Sequence, residues 1–248
     1  MFFASASPAL AKKAQPAPID HGPRDQKRVA LTFDACSGPA PGKLDQGVVE
    51  ALEAAGAHAT FFLGGRWAEQ DHARVKRLLQ NPAFELESHT YHHRHLETLG
   101  DAELASELAR GSEALSPILG HAPTYMRAPY GEADARVVRA AKAAGLTTIG
   151  FDLPSGDPDP TFTAKRLTRW VLGSVRPGGI IVFHANGRGW HTAEALPGIL
   201  AALKSQGYEL VTIAELLGAA TPAITPVPSA DASDAGLAAT PDAGADHN

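Results

Sequence analysis

The sequence predicts a parallel α/β fold built from seven strand–helix units. Three observations predict it. Short apolar runs alternate with helical patterns along residues 28–218. Glycines close several of the helical patterns, at Gly56, Gly120, Gly145 and Gly207. Asp34, His89, Arg127, Asp152 and His184 each sit at or just past the C-terminal end of a different apolar run, the face where parallel α/β folds bind ligands. Structural polar residues would fall at the other ends as well, so the gathering marks a site. Seven units can close into a barrel, and a doubly wound open sheet is the rival arrangement.

The elements follow in order. Residues 1–27 are rich in Ala, Pro and charge and read as a flexible leader. Its first part, MFFASASPALAKK, ends in a small-residue stretch like the cleavage end of a secretory signal, without a basic n-region or a long apolar h-region. The expectation is a truncated signal or a mobile arm, on a periplasmic or secreted protein. The first strand, Val29–Asp34, is β-rich and ends in an acidic residue. A helix over Asp45–Ala55 follows, with Val48, Val49, Leu52 and Ala55 on one face. The remaining strands are expected at Ala57–Leu63, Phe84–Ser88, Thr124–Arg127, Thr147–Phe151, Gly179–His184 and Glu209–Ile213. The helices between them fall at Trp67–Leu79, Asp101–Leu119, Ala133–Ala144, Ala164–Gly173 and Thr192–Gln206. Residues 219–248 hold Ala, Pro, Thr, Asp and Gly with almost no large apolar side chain, a composition that cannot repay the entropy of folding, so they read as a disordered tail. The folded unit is expected at 28–218.

Composition narrows the function classes. With 248 residues, 44% of them apolar, the chain buries a substantial core in one large domain or two small ones. A net charge of −5 and no Lys/Arg cluster argue against a nucleic-acid partner. Cys36 is the single cysteine, which excludes an internal disulfide. No run reaches the length of a membrane span, so stable membrane insertion is not expected.

Three segments carry chemistry. In His89-Thr90-Tyr91-His92-His93 the outer histidines are four apart, and a helical turn would put both imidazoles on one side, within reach of one metal ion. Exposed histidines on a solvated turn are the alternative, since the chain has 11 histidines and His92 and His95 crowd the same segment. In Arg127-Ala128-Pro129-Tyr130-Gly131 the arginine suits bidentate pairing with a carboxylate, and the rigid turn aims backbone N–H groups at a developing oxyanion. A strand-to-helix turn with a surface arginine is the plainer account. Gly178 to Phe183 is a buried run ending in His184, which reads either as a general acid or as a hydrogen-bonded structural histidine.

Together, Thr32-Phe33-Asp34, the His89–His93 segment, the Arg127–Gly131 segment and Phe183-His184-Ala185-Asn186 resemble the polysaccharide deacetylases with a NodB homology domain, carbohydrate esterase family 4. The four motifs stand in that family's order and cover about 28–217. The resemblance implies a distorted (β/α)7 barrel, and hydrolytic removal of acetyl groups from the amino sugars of a glycan such as peptidoglycan, a chitin-like polymer or an exopolysaccharide. It implies Asp34 as general base, His89 and His93 as metal ligands, and Arg127 as the residue that orients Asp34. It further implies the Tyr130 backbone N–H as an oxyanion donor and His184 as general acid. The cofactor it implies is a divalent metal, with zinc expected first and cobalt, nickel or manganese as other occupants.

The sequence departs from that family at several positions. Where the family has a second Asp completing an Asp-His-His metal set, this chain has Ala35. Asp45 is the expected replacement ligand, unless it is only the N-cap of its helix. Cys36 is another, since on a continuing strand it points the same way as Asp34. Weak metal binding through two histidines, or none, is the third outcome. Asp157 is the preferred match for the Asp that tunes the acid histidine, with Asp152 second. Ala128 and Pro158 replace a proline and an aromatic residue of the family pattern. Trp190 either stacks on a sugar ring or fills the core. Besides the deacetylase reading, two others stand: a metal-free glycan-binding domain, and a hydrolase of non-sugar carbon–nitrogen bonds on the same barrel.

Overall fold

The computed structural model describes residues 14–37 and 42–219. Its eight strands are β1 (Arg28–Ala35), β2 (Ala59–Leu63), β3 (Phe84–Ser88), β4 (Tyr125–Met126), β5 (Thr147–Thr148), β6 (Leu153–Pro154), β7 (Gly179–His184) and β8 (Glu209–Val211). They form one curled sheet in the order β5-β4-β3-β2-β1-β7-β6, with β8 beside β1. The strand pairings are parallel. The helices α1 (Gln46–Ala54), α2 (Gly65–Gln70), α3 (His72–Leu79), α4 (Asp101–Leu119), α5 (Ala135–Ala143), α6 (Ala164–Ser174) and α7 (Thr192–Ser205) lie between the strands in sequence, and α8 (Ile213–Leu216) follows β8. This is the distorted (β/α) barrel expected, left open between β5 and β6.

The two-residue period of β1 decides which side chains meet chemistry. Val29, Leu31, Phe33 and Ala35 belong to the main core cluster, together with residues of α1, α3 and α7. Phe33 is in register with Phe61 of β2 and Phe183 of β7, and its ring stacks on both at 5.2 and 5.4 Å. Burying each such ring contributes about 1.5–3 kcal/mol. The alternate residues Ala30, Thr32 and Asp34 face the lumen. Ala35 thus lies on the helix-facing side, fully buried, and the lumen side passes from Asp34 to Cys36.

The lumen is polar for a core. Glu85 of β3 accepts from Thr60 Oγ1 at 2.6 Å and from the Ile213 amide at 2.9 Å, tying β8–α8 across one end. Glu87, two residues on, accepts from the Thr124 and Tyr125 amides through Oε2, at 2.8 Å each. Its Oε1 is buried without a partner. Burial pushes the Glu87 pKa up to about 8, against those amides. Folded Glu87 therefore holds a proton between the ordinary glutamate value of about 4.3 and about 8, where the unfolded chain has lost it. The folded state binds more protons in that window, so this group makes stability fall as pH rises. Glu87→Gln should shrink the drop in Tm between pH 5 and pH 8. An undiminished drop in that variant would assign the pH dependence elsewhere.

Several expectations are corrected. The helix expected over Trp67–Leu79 is two helices, because Asp71 is extended (φ −159°, ψ 91°) and caps α3 by accepting from the Ala73 amide at 3.0 Å. Strands expected at Thr124–Arg127 and Thr147–Phe151 shorten to two residues each, and β6 was not foreseen at a proline. The leader is not wholly free. Ile19 donates to Thr148 O at 3.0 Å and accepts from the Gly150 amide at 2.9 Å, and Arg24 pairs with Asp152 at 2.6 Å. These contacts pin the leader across the opening between β5 and β6. Residues 1–13 and the expected tail beyond Ala219 lie outside the described residues. No helix among those described is long and apolar enough to cross a membrane.

Candidate active site

Four of the strand-end residues meet at one mouth of the barrel. Asp34 and His184 are register partners on β1 and β7, so their side chains leave the same face of the sheet side by side. Both line a cavity of about 240 Å³, with Cys36, His89, His93, Tyr130, Asp157 and Arg188 among its other walls.

Arg127 reaches into the lumen just past β4. Its Nη1 donates to Asp34 Oδ1 at 2.9 Å and to Thr32 Oγ1 at 2.7 Å, and its Nη2 donates to Gly150 O at 3.0 Å. The guanidinium is 1% exposed and lies 4.2 Å over the Phe62 ring. Burial alone would raise the Asp34 pKa, but the Arg127 charge, helped by His89 and His184, outweighs it and holds the carboxyl below its ordinary value. Asp34 is therefore a carboxylate at neutral pH, with Oδ2 left 3.7 Å from His89 Nε2. A surface role for Arg127 is excluded by its burial.

His184 is held through Asp157. The Asp157 Oδ1 lies 2.9 Å from His184 Nδ1, while its Oδ2 accepts from the His184 amide at 2.8 Å and from Thr192 Oγ1 at 2.7 Å. Burial opposes protonation of His184, but the Asp157 hydrogen bond and charge, with Asp34 beyond, raise its pKa above the ordinary histidine value. Asp152 is not this partner. It accepts from Arg24 and from the Ile180 amide.

The two outer histidines of the His89–His93 segment converge, with ring centroids 4.9 Å apart, but not on a helical turn. Thr90 and His93 adopt left-handed backbone (φ 61° and 62°), a conformation that costs side-chain-bearing residues about 1–3 kcal/mol and persists only when the surroundings impose it. Glu107 of α4 imposes it here by accepting from the Tyr91 and His92 amides and contacting His92 Nδ1 at 2.9 Å. Gly111, one turn on, makes the approach of α4 feasible, since a Cβ there would stand 2.8 Å from the Thr90 carbonyl carbon. His89 Nδ1 lies 2.9 Å from Arg127 O, which fixes the Nδ1–H tautomer and turns the Nε2 lone pair to the cavity. Burial keeps both rings neutral, lowering His89 and taking His93 to about 3. His92 and His95 are paired with Glu107 and Glu132 instead.

The third donor beside these rings is Cys36. One ligand atom from each of Cys36, His89 and His93 lies within 4.8 Å of the others. Cys36 is 2% exposed, and Asn186 Nδ2 donates to its carbonyl at 2.7 Å and to its Sγ at 3.4 Å. Burial and the Asp34 charge push the Cys36 thiol up to about 12, so it would ligate only by giving up its proton to ion binding; a thiolate so formed and two imidazoles are a donor set that fits zinc. Asp45, the expected ligand, is not in this group. Its Oδ1 accepts from the Gly47 and Val48 amides at 3.1 and 3.4 Å, so it is the N-cap of α1.

Tyr130 also lines the cavity, beside His93. Its backbone is left-handed (φ 61°), and its ring, 54% exposed, stacks on His95 at 3.8 Å and meets His93 edge-on at 4.7 Å. Trp190 is not a core residue. It is 62% exposed and outside the cavity lining, and its amide donates to Asp157 O at 3.1 Å. Arg188 does line the cavity and was not singled out in the sequence, where a loop arginine two residues past Asn186 carries no distinguishing pattern. Thr32, Asn186 and Thr192 were missed as supports. Thr32 and Asn186 had a signal, since both stand in the motifs that carry the family resemblance and Thr32 sits two residues before Asp34 on one face of the strand.

Comparison with known proteins identifies the family. The sequence profile of the polysaccharide deacetylase family matches residues 21–149. A peptidoglycan-N-acetylglucosamine deacetylase of Listeria monocytogenes is 34% identical over 195 residues, 79% of this chain and 40% of that protein; the chain thus spans well under half of that relative. A Bacillus cereus peptidoglycan-N-acetylglucosamine deacetylase is 32% identical over 200 residues, 79% of this chain and 90% of that protein. Among solved structures, a peptidoglycan N-acetylglucosamine deacetylase matches with a TM-score of 0.76 at 27% identity, covering 82% of this chain and 94% of the other. A carbohydrate esterase family 4 pseudoenzyme from Bacillus anthracis matches with a TM-score of 0.73 at 27% identity, covering 82% and 69%. The barrel and these matches agree, and the chain belongs to the polysaccharide deacetylase family.

Proposed function

We propose that the protein is a zinc-dependent hydrolase that removes acetyl groups from the amino sugars of an exported glycan, with peptidoglycan the first candidate. One observation carries the reading: a carboxylate held ionised by Arg127 and a histidine whose pKa is raised by Asp157 face one cavity from adjacent strands. Amide hydrolysis needs that pair, because the nucleophilic water must lose a proton and the leaving nitrogen must gain one. Asp34 takes the first proton. His184 gives the second. Arg127 keeps Asp34 charged and aimed, and the Tyr130 backbone N–H faces the developing oxyanion. Cys36, His89 and His93 would hold the ion, which supplies Lewis acidity and lowers the pKa of water. The thiol in the set favours zinc or cobalt over manganese. Such a substrate places the protein in the periplasm or outside the cell.

The reading is tested by acetate release from peptidoglycan and from chitin oligomers by the zinc-loaded protein. The pH profile carries the sign. The raised pKa keeps His184 doubly protonated below the ordinary histidine value; the acid proton on Nε2 is lost as pH rises through the raised value, while Nδ1–H stays bonded to Asp157. The alkaline limb of kcat/KM should lie above about pH 6.5, the ordinary histidine value, and Asp157→Asn should move it to lower pH. A limb that stays put would free His184 from the acid role. The replacement of a carboxylate by Ala35 and the pseudoenzyme relative favour a second reading, a metal-free glycan-binding domain. That reading requires purified protein that takes up no zinc and releases no acetate.

A further inference from the structure

A larger cleft lies beside the catalytic cavity. Its volume is about 740 Å³, and it is walled by α6 residues Arg166, Arg169 and Trp170 and by Phe162. Pro154 and Gly156 line both this cleft and the catalytic cavity, so the two are neighbours. Trp170 is 45% exposed, yet it is fixed, because its Nε1 donates to Pro154 O at 2.8 Å. The helix buries Leu167 and Val171, and Trp170 contributes no comparable burial on its open face. The Arg166 guanidinium lies 4.2 Å over the Phe162 ring, which positions it. Neither Arg166 nor Arg169 forms an ion pair among the described residues. Asp159 is close enough to feel the Arg166 charge, but its carboxylate is engaged by the Thr161 amide and hydroxyl. α6 carries Lys165, Arg166 and Arg169 and no acidic residue, in a chain whose net charge is −5.

We propose that this cleft is a subsite for a carboxylate-bearing sugar of the glycan chain, next to the sugar being deacetylated. A flat, pinned indole suits the apolar face of a pyranose ring. Two unpaired guanidinium groups three residues apart on one helix suit a carboxylate, which they bind with directional, charge-assisted hydrogen bonds. A chain that reaches both spaces runs over Pro154 and Gly156, which line each. A neutral chitin-like polymer would use the tryptophan and leave the arginines without a function. The inference rests on the glycan-deacetylase reading for the identity of the chain, and on the cleft itself for the charge.

Calorimetric titration of the full, zinc-loaded chain with two uncleaved oligosaccharides of equal length tests it. One is a neutral N-acetylglucosamine oligomer and the other a peptidoglycan fragment with free carboxylates. The acidic ligand should bind at least about 10-fold more tightly at low salt, the scale of one charge-assisted contact, and the advantage should shrink as salt is added. The double variant Arg166→Gln, Arg169→Gln should lose that advantage and keep neutral binding within about twofold; its substitutions are on the surface and do not threaten the fold. Trp170→Ala should weaken both ligands. Equal binding of the two ligands by the unaltered protein, no binding of either, or equal losses for both in the arginine variant would overturn the subsite. Acetate release is read separately, so its absence would overturn the enzymatic reading without touching a charge-selective binding result.

Discussion

In the Asp34→Asn protein, kcat for acetate release is expected to fall by about 10²- to 10⁴-fold, the range that a positioned general base supplies, while zinc content stays at the unaltered level. The donors at Cys36, His89 and His93 do not include Asp34, so the two readouts separate. The variant will also be less stable. Arg127 is buried and keeps only Thr32 Oγ1 and Gly150 O as undiminished partners. Removing one member of a buried ion pair costs about 3–5 kcal/mol, and an asparagine oxygen recovers part of that by accepting from Nη1. The assay therefore belongs well below the variant's own Tm. Near-normal turnover by a folded, zinc-loaded Asp34→Asn protein would remove Asp34 from the base role.

The second large effect is on the metal. Cys36→Ala should weaken zinc binding by on the order of 100-fold or more, since losing even an outer partner of a ligand costs 10–100-fold. The cobalt-substituted protein gives a readout independent of turnover: a sulfur-to-cobalt charge-transfer band is expected in the unaltered chain and absent from the variant. Asp45→Ala is the matched control. As the α1 cap it should lower stability by about 1 kcal/mol and leave the zinc Kd unchanged. The reverse pattern, with zinc lost on changing Asp45 and retained on changing Cys36, would refute the ligand set.

The contrast between Asp45 and Cys36 marks how far the sequence could be read. An aspartate just before a helix has the same signature whether it caps the helix or binds a metal, and only the position of α1 relative to the histidines separates the two. Strand alternation does place Cys36 on the side of Asp34, which raised it as an alternative ranked below Asp45, and it is Cys36 that the structure brings to His89 and His93. The barrel was legible because each strand–helix unit carries its own periodicity, and the strand-end residues because parallel folds concentrate chemistry at one end. The His89–His93 conformation was not legible. It depends on Glu107, which reaches it from another helix, and two left-handed residues bearing side chains leave no local mark. The docking of Ile19 and Arg24 was hidden for a similar reason, since it depends on a gap in the sheet that appears only when the barrel fails to close.

The pairing of β1 has a further consequence. Its first residues pair with β8, its last with β2, and most of its length with β7. A strand bonded on both sides exchanges its amide protons only when the whole domain opens, whereas segments outside the ladder open at lower free energy. Asp34 lies on the first kind of backbone; His93 and Arg188 lie on the second. As denaturant is raised, the protein should therefore release any bound metal and deform the cavity rim while Asp34 is still in its native strand. Inactivation would then run ahead of unfolding, and dilution would restore activity without refolding the barrel.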